Sequence, residues 1–258
     1  FLGGGSVLLA VLSLQKQELI TKKNNIYVYD ININLINLYN NIKNNKEELY
    51  KYISSYISEY DSITDNIVNR KPNTIEEAKT SKESYYYWLR NKFNTIDKTS
   101  IECSALFMVI NKLCFRGVYR EGPNGYNVPY GHYKKTPTII TKEELDNVSE
   151  LIKNVEFIHS DFKESIKKVE KDDFVYLDPP YVPETKKSFV NYVADGFDLN
   201  KHNTLFDEIL KLDKKKVKFV LSNSSVELVL NKFKDYNCET LIARRAINSK
   251  NPESTTNE

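Results

Sequence analysis

Apolar residues fall along this chain in two different rhythms. Val7 to Leu14, behind Ser6, predict the start of a buried helix. Ile26 to Tyr29 form a short β-branched and aromatic run that stops at Asp30, the pattern of a buried strand. Leu35, Leu38, Tyr39 and Ile42 then recur at helical spacing. From about residue 43 to residue 140 the alternation of strand and helix stops. Glu47 to Tyr60, Ile75 to Phe93 and Ser100 to Leu113 predict tyrosine-rich helices, and a Gly/Pro/Asn loop runs from Arg116 to Pro137. The alternation then resumes. Thr141 and Glu144 make a capping-box pair at a helix start. Val155 to His159 predicts a strand leading to Asp161, and Phe174 to Leu177 another leading to Asp178. Lys201 to Leu212 predicts a helix, with strands at Val217 to Leu221 and Leu241 to Ala243. The pattern describes one α/β domain, 1–43 and 141–258, interrupted by an α-helical insert over 44–140.

Composition narrows the class. At 258 residues, 40% hydrophobic and 28% charged, the chain is expected to be globular. Its longest apolar stretch, Val7 to Leu12, is too short to cross a bilayer and lacks the flanks of a secretory signal, so no membrane partner is expected. Cys103, Cys114 and Cys238 have no paired spacing, and His132, His159 and His202 lack partners at metal-binding spacing. Neither a disulfide framework nor a metal site is expected, which suits a reducing setting. A net charge of +2 identifies no partner, although the positive excess lies in the central segment and suits a polyanion or an ordinary solvated surface. The opening at Phe1 and the polar close at Glu258 suggest a piece of a longer protein.

The strongest chemical signal is Asp178-Pro179-Pro180-Tyr181, directly after an apolar strand. Prolines cannot continue a sheet ladder, so the chain turns out at the strand's C-terminal edge, where ligands of open α/β folds bind. The turn offers a carboxylate at Asp178, a main-chain carbonyl at Pro179 and an aromatic face at Tyr181. Two acceptors and a ring suit the exocyclic amine of a planar base; a bland strand-end turn is the competing reading. Phe1-Leu2-Gly3-Gly4-Gly5-Ser6 lacks the full dinucleotide fingerprint and by itself is only a glycine-rich turn. Asp30, at the end of the next strand and placed for ribose hydroxyls, strengthens it.

Together these motifs resemble the Dam-like DNA adenine N6-methyltransferases over nearly the whole chain. Phe1, Gly3, Gly5 and Ser6 match that family's F-x-G-x-G-S loop, and Asn32, Leu35, Ile36 and Tyr39 match the helix after its acidic strand end. Asn127-Val128-Pro129-Tyr130-Gly131-His132-Tyr133 matches the loop that closes the family's helical insert. Asp161-Phe162, the Asp178 tetrapeptide, Ser222-Asn223 and Arg244-Arg245 follow in the family's order.

The resemblance implies a Rossmann-like sheet that binds S-adenosylmethionine, interrupted by a helical target-recognition domain, acting as a monomer on double-stranded DNA. A companion restriction endonuclease is a further partner it suggests. The setting it implies is the cytoplasm or wherever the cognate DNA resides, including a viral host cell. Asp178 and Pro179 are then catalytic, gripping the amine of a flipped adenine that stacks on Tyr181. Phe1, Gly3 and Gly5 would face the methionine moiety, Asp30 the ribose and Asp161 the adenine amine, with Ile31 and Phe162 either covering the adenine or belonging to the core. In the insert, Arg116 and Arg120 are candidates for guanine-edge or phosphate contacts, and Phe115 or Tyr119 for a wedge into the base stack. Asn127 is a further candidate DNA contact; Arg244, Arg245 and Lys250 either clamp phosphates or form a solvated end. Rival readings are an amine methyltransferase acting on RNA or protein glutamine, a cytosine N4 enzyme, and a non-catalytic DNA-binding remnant. The tyrosines at 85–87 are expected to pack rather than to form a stacking platform.

Overall fold

The computed structural model describes residues 1–21, 25–183, 196–244 and 255–257. They divide into two compact units, Gly3–His159 and Ser160–Glu258 together with Phe1–Leu2.

In the first unit, Gly5 adopts a left-handed conformation (φ 73°) as the N-cap of helix α1, Ser6–Lys16. A side chain there would be strained, which is the physical reason for glycine. Strand β1, Ile26–Asp30, leads into helix α2, Ile33–Asn44. That helix starts where it does because the Asn32 side chain accepts the free N–H groups of Asn34 and Leu35. The expectation of a buried strand at 26–29 is only half met: Val28 is buried, but Tyr27 is 51% exposed.

The helical stretch holds α3, Lys46–Ser62, α4, Ile75–Ala78, α5, Lys82–Thr95, and α6, Ile101–Leu113. Leu49, Ile53, Tyr56 and Tyr60 form one buried stripe of α3, at helical spacing. The single helix expected over 75–93 is two. Ser81 pairs as an isolated bridge with Asn66 and caps α5 by accepting the Ser84 N–H, so the backbone must be extended there. Tyr85 and Tyr86 are fully buried. The Tyr86 hydroxyl donates to the Val128 carbonyl, as does Arg90, so tyrosines here hold the loop that follows.

Within that loop a two-residue-stranded hairpin forms, β2, Glu121–Gly122, against β3, Gly125–Tyr126. Cys114 and Tyr130 form an isolated bridge, and the Gly131 N–H donates to the Leu113 carbonyl. A Cβ on Gly131 would stand 2.7 Å from the Cys114 carbonyl oxygen and 2.3 Å from the Tyr133 ring. Gly131→Ala is therefore expected to destabilise the protein by about 1–3 kcal/mol, because the main-chain oxygen cannot move aside. In urea unfolding, adding Tyr133→Ala should restore only part of that loss; full restoration would place the clash on the ring alone.

Helix α7, Lys142–Leu151, begins with the expected capping box at Thr141 and Glu144. It leads to β4, Val155–His159, which pairs in parallel with β1 from Ile26–Val155 to Asp30–His159. Parallel pairing brings the two strand ends, at Asp30 and His159, side by side.

The second unit opens with α8, Phe162–Lys167, capped by the Asp161 carboxylate, which accepts the Lys163 N–H. It continues with β5, Phe174–Leu177, α9, Leu199–Lys214, β6, Lys218–Leu221, and α10, Glu227–Lys232. Strands β5 and β6 are parallel, with Leu177 level with Leu221. The short strands β7, Ile242–Arg244, and β8, Thr255–Asn257, pair antiparallel. The core gathers Phe162, Leu177, Leu205, Phe206, Ile209 and Phe233. Among the described residues the strands pair two by two in a mixed α/β architecture. No described helix is long and apolar enough to cross a membrane.

His202 is fully buried, edge-on to Phe197 with ring centres 4.8 Å apart. Burial lowers its pKa to about 4, against an upward pull from Asp198. The unfolded chain, with an ordinary imidazole near 6.5, then binds the extra proton first as the pH falls. Stability contributed by neutral His202 is full above about pH 6.5 and is lost towards pH 4. The loss should reach about 3 kcal/mol, at roughly 1.4 kcal/mol per pKa unit. Denaturant unfolding between pH 7 and pH 4.5 should show a smaller decline in His202→Phe than in the native protein.

Candidate active site

In the first unit the glycine turn and the end of β1 are tied by one carboxylate. Asp30 accepts the Gly3 N–H (3.2 Å) on one oxygen and the Asn32 N–H (2.8 Å) on the other. Gly3 has φ 53°, again the left-handed region. The Tyr39 hydroxyl donates to the Gly4 carbonyl (2.9 Å), and its ring stacks on Phe157 at 4.9 Å. These groups border a cleft of ≈ 560 Å³ whose lining includes Gly3, Gly4, Asp30, Asn32, Tyr39 and Tyr119. A Cβ on Gly3 or Gly4 would meet no atom within 4 Å, so the turn borders open space. Ile31 is 64% exposed, and its carbonyl accepts a hydrogen bond from His159 Nε2. Sequence reasoning assigned no role to the Tyr39 hydroxyl or the Asn32 cap; a polar residue directly after a strand-ending acid is the signal that could have found the cap.

The insert segment 115–120 lies in the same unit. Phe115 is exposed, and its N–H donates to the Pro129 carbonyl (2.8 Å). Arg116 has a left-handed backbone (φ 57°) and sets its guanidinium over the Phe115 ring. The Tyr119 hydroxyl is shared between Glu121 and the Asn34 amide. Arg120 donates from Nε to Asn127 Oδ1 (2.6 Å) and from Nη2 to the Asn127 carbonyl (3.2 Å), so two candidate DNA contacts hold each other.

In the second unit, Leu177 ends β5 and the chain turns out through Asp178 and two prolines. Asp178 is exposed, Pro179 buried and Tyr181 half-buried. Crowding by protein around the Asp178 carboxyl raises its pKa above the ordinary carboxylate value, against an opposing hydrogen bond from Tyr181. Val182, next along, donates its N–H to Asn223 Oδ1 (2.9 Å). Phe1 stacks on Phe162 at 5.9 Å, and Phe162 is a core residue of this unit. Asp161 is a helix cap. Arg244 ends β7, whereas its side chain, Arg245 and Lys250 lie outside the described residues.

One unit thus holds a strand-end acid beside a glycine turn, and the other a strand-end Asp-Pro-Pro-Tyr turn. The family model of D12 class N6 adenine-specific DNA methyltransferases matches residues 1–247. The chain belongs to this family. Among its relatives, Type II methyltransferase M.MjaIII of Methanocaldococcus jannaschii is 34% identical, over 97% of this chain and 81% of its own length. Type II methyltransferase M1.LlaDCHI of Lactococcus lactis subsp. cremoris is 33% identical, over 97% and 79%. A DNA adenine methylase of Haemophilus influenzae is 28% identical, over 87% and 72%.

Proposed function

We propose that this methyltransferase moves a methyl group from S-adenosylmethionine to N6 of an adenine flipped out of a specific duplex sequence. The Asp178-Pro179-Pro180-Tyr181 turn at the tip of β5 carries the reading. Residues 1–43 and 141–258 form the Rossmann-like catalytic part in this reading, and 44–140 the target-recognition part.

The adenine amine is a poor nucleophile because its lone pair is delocalised into the ring. Asp178 accepts one of its N–H groups and the Pro179 carbonyl the other, favouring a pyramidal nitrogen with an available lone pair. Tyr181 stacks on the everted base. A new N–C bond forms as the S–C bond breaks, and the methylated nitrogen sheds one proton along one of these hydrogen bonds. The methyl donor supplies a carbon on a positively charged sulfur, which departs as a neutral thioether. Positioning and charge complementarity carry most of the rate gain.

The donor set of the first unit suits that cofactor: acceptor oxygens at Asp30, aromatic rings at Tyr39 and Tyr119, and a bare glycine turn. Asp30 would hold the ribose hydroxyls, and Gly3 and Gly5 of the turn would face the methionine end. Ile31 would cover the adenine. Phe162 has its structural role in the core. Duplex DNA with donor labelled in the methyl group tests the function: N6-methyladenine should be the labelled base. Label on cytosine, RNA or protein would sink the proposal.

DNA reading is proposed for Arg116, Arg120 and Asn127, with Phe115 or Tyr119 as the wedge. Arg120→Ala should raise the duplex KM about 3- to 30-fold. If its contact is to phosphate, the slope of log affinity against log salt should also become shallower by about one. An unchanged KM would remove Arg120 from the interface. The Type II names of two relatives support a companion restriction endonuclease acting on the same sequence. Soluble monomer behaviour in the cytoplasm completes the proposal.

A further inference from the structure

We infer that Asn223 and Ser224 are positioning residues for methyl transfer, holding the Asp178–Tyr181 turn in shape through the main chain of Val182. The inference rests on the reading of that turn as the reactive site.

Three of the six residues from Asp178 to Pro183 are prolines and carry no N–H. Such a turn has few N–H groups with which to brace itself by ordinary main-chain hydrogen bonds. The parallel ladder supplies a neighbour. Because Leu177 stands level with Leu221, residues 222–224 continue beside the turn. The Ser222 N–H donates to the Leu177 carbonyl (2.9 Å), and the Tyr176 and Ser222 hydroxyls bond at 2.9 Å.

Beyond that point side chains replace the ladder. Asn223 Oδ1 accepts the Val182 N–H (2.9 Å) and the Ser224 N–H (2.9 Å). Ser224 Oγ donates to the Val182 carbonyl (2.5 Å). Both polar groups of one peptide residue, immediately after Tyr181, are thus taken by adjacent side chains. Val182 is 5% exposed, Asn223 7% and Ser224 1%, so water cannot substitute for a lost partner. Asn223 Nδ2 has no partner among the described residues. The oxygen of this amide, rather than its nitrogen, therefore does the bracing.

The consequence is kinetic. The Asp178 carboxylate and the Pro179 carbonyl act only if both face one amine, and a shift of about 1 Å in such a pair costs on the order of a hundredfold in rate. Removing the acceptor at 223, or the donor at 224, frees the turn without touching the groups that bind the methyl donor.

The test is steady-state methyl transfer to adenine-containing duplex by the full chain and its Asn223→Ala, Asn223→Asp and Ser224→Ala variants, with thermal unfolding of each. Asn223→Ala and Ser224→Ala should lower kcat by about 10- to 100-fold with the KM for S-adenosylmethionine within twofold. Asn223→Asp keeps the acceptor oxygen and should recover kcat to within about fivefold of the native value. A folded Asn223→Ala with native kcat overturns the inference, as does a folded Asn223→Asp as slow as Asn223→Ala. If Asn223→Ala does not fold, Ser224→Ala decides by the same criterion. A native protein that labels no adenine sinks the reading of the turn and this inference with it; an active native protein indifferent to these changes sinks the inference alone.

Discussion

Asp178→Ala is expected to lower kcat for adenine methylation by at least about a thousandfold while leaving the protein folded. In the proposed mechanism the carboxylate is one of only two acceptors for the amine, and its charge offsets the positive charge that grows on nitrogen as the methyl arrives. Loss of one preorganised electrostatic partner at a reacting atom costs about a hundred- to a thousandfold elsewhere, and this one also orients the nucleophile. Asp178→Asn keeps an acceptor but not the charge, so it should fall between the two.

Stability should move the other way. The raised pKa means that the folded protein holds the Asp178 proton more tightly than the unfolded chain does. Ionised Asp178 therefore works against folding as the pH rises through and above that window. Alanine removes this cost, so the variant should unfold at or above the native temperature at pH 7. A folded Asp178→Ala with native activity would remove Asp178 from the mechanism.

The second large effect is at the cofactor. Asp30→Ala is expected to weaken S-adenosylmethionine binding by about 10- to 100-fold in calorimetric titration, the worth of charge-assisted hydrogen bonds. Two losses combine. In the proposed reading the ribose loses its acceptor, and the Gly3 and Asn32 N–H groups lose the carboxylate that joins the glycine turn to the start of α2. Asp30→Asn keeps one oxygen and should lose less. Binding within twofold of native in Asp30→Ala would detach the cleft of the first unit from the methyl donor.

Local rules carried much of the architecture. The apolar run ending at Asp30, the capping box at Thr141 and the run ending at Asp178 each predicted an element that forms, since period and capping chemistry act over a few residues. The break between α4 and α5 was not legible. It depends on Ser81 meeting Asn66, fifteen residues upstream, and no local pattern reports such a bridge. The exposure of Tyr27 was missed for a related reason: a β-branched run shows that a strand forms, but the packing around it decides how much is covered.

The site divides along the same line. Order and identity of the motifs were enough to place the chain among the DNA adenine methyltransferases, because motifs are local strings of residue types that can be read without knowing their partners. What each group is bonded to was settled only by folding. Arg120 with Asn127, Asp30 with Gly3 and Asn223 with Val182 are separated by 7, 27 and 41 positions along the chain. Hydrogen bonds form between atoms within about 3 Å, and distances of that size between remote residues exist only once strands have paired and helices have packed.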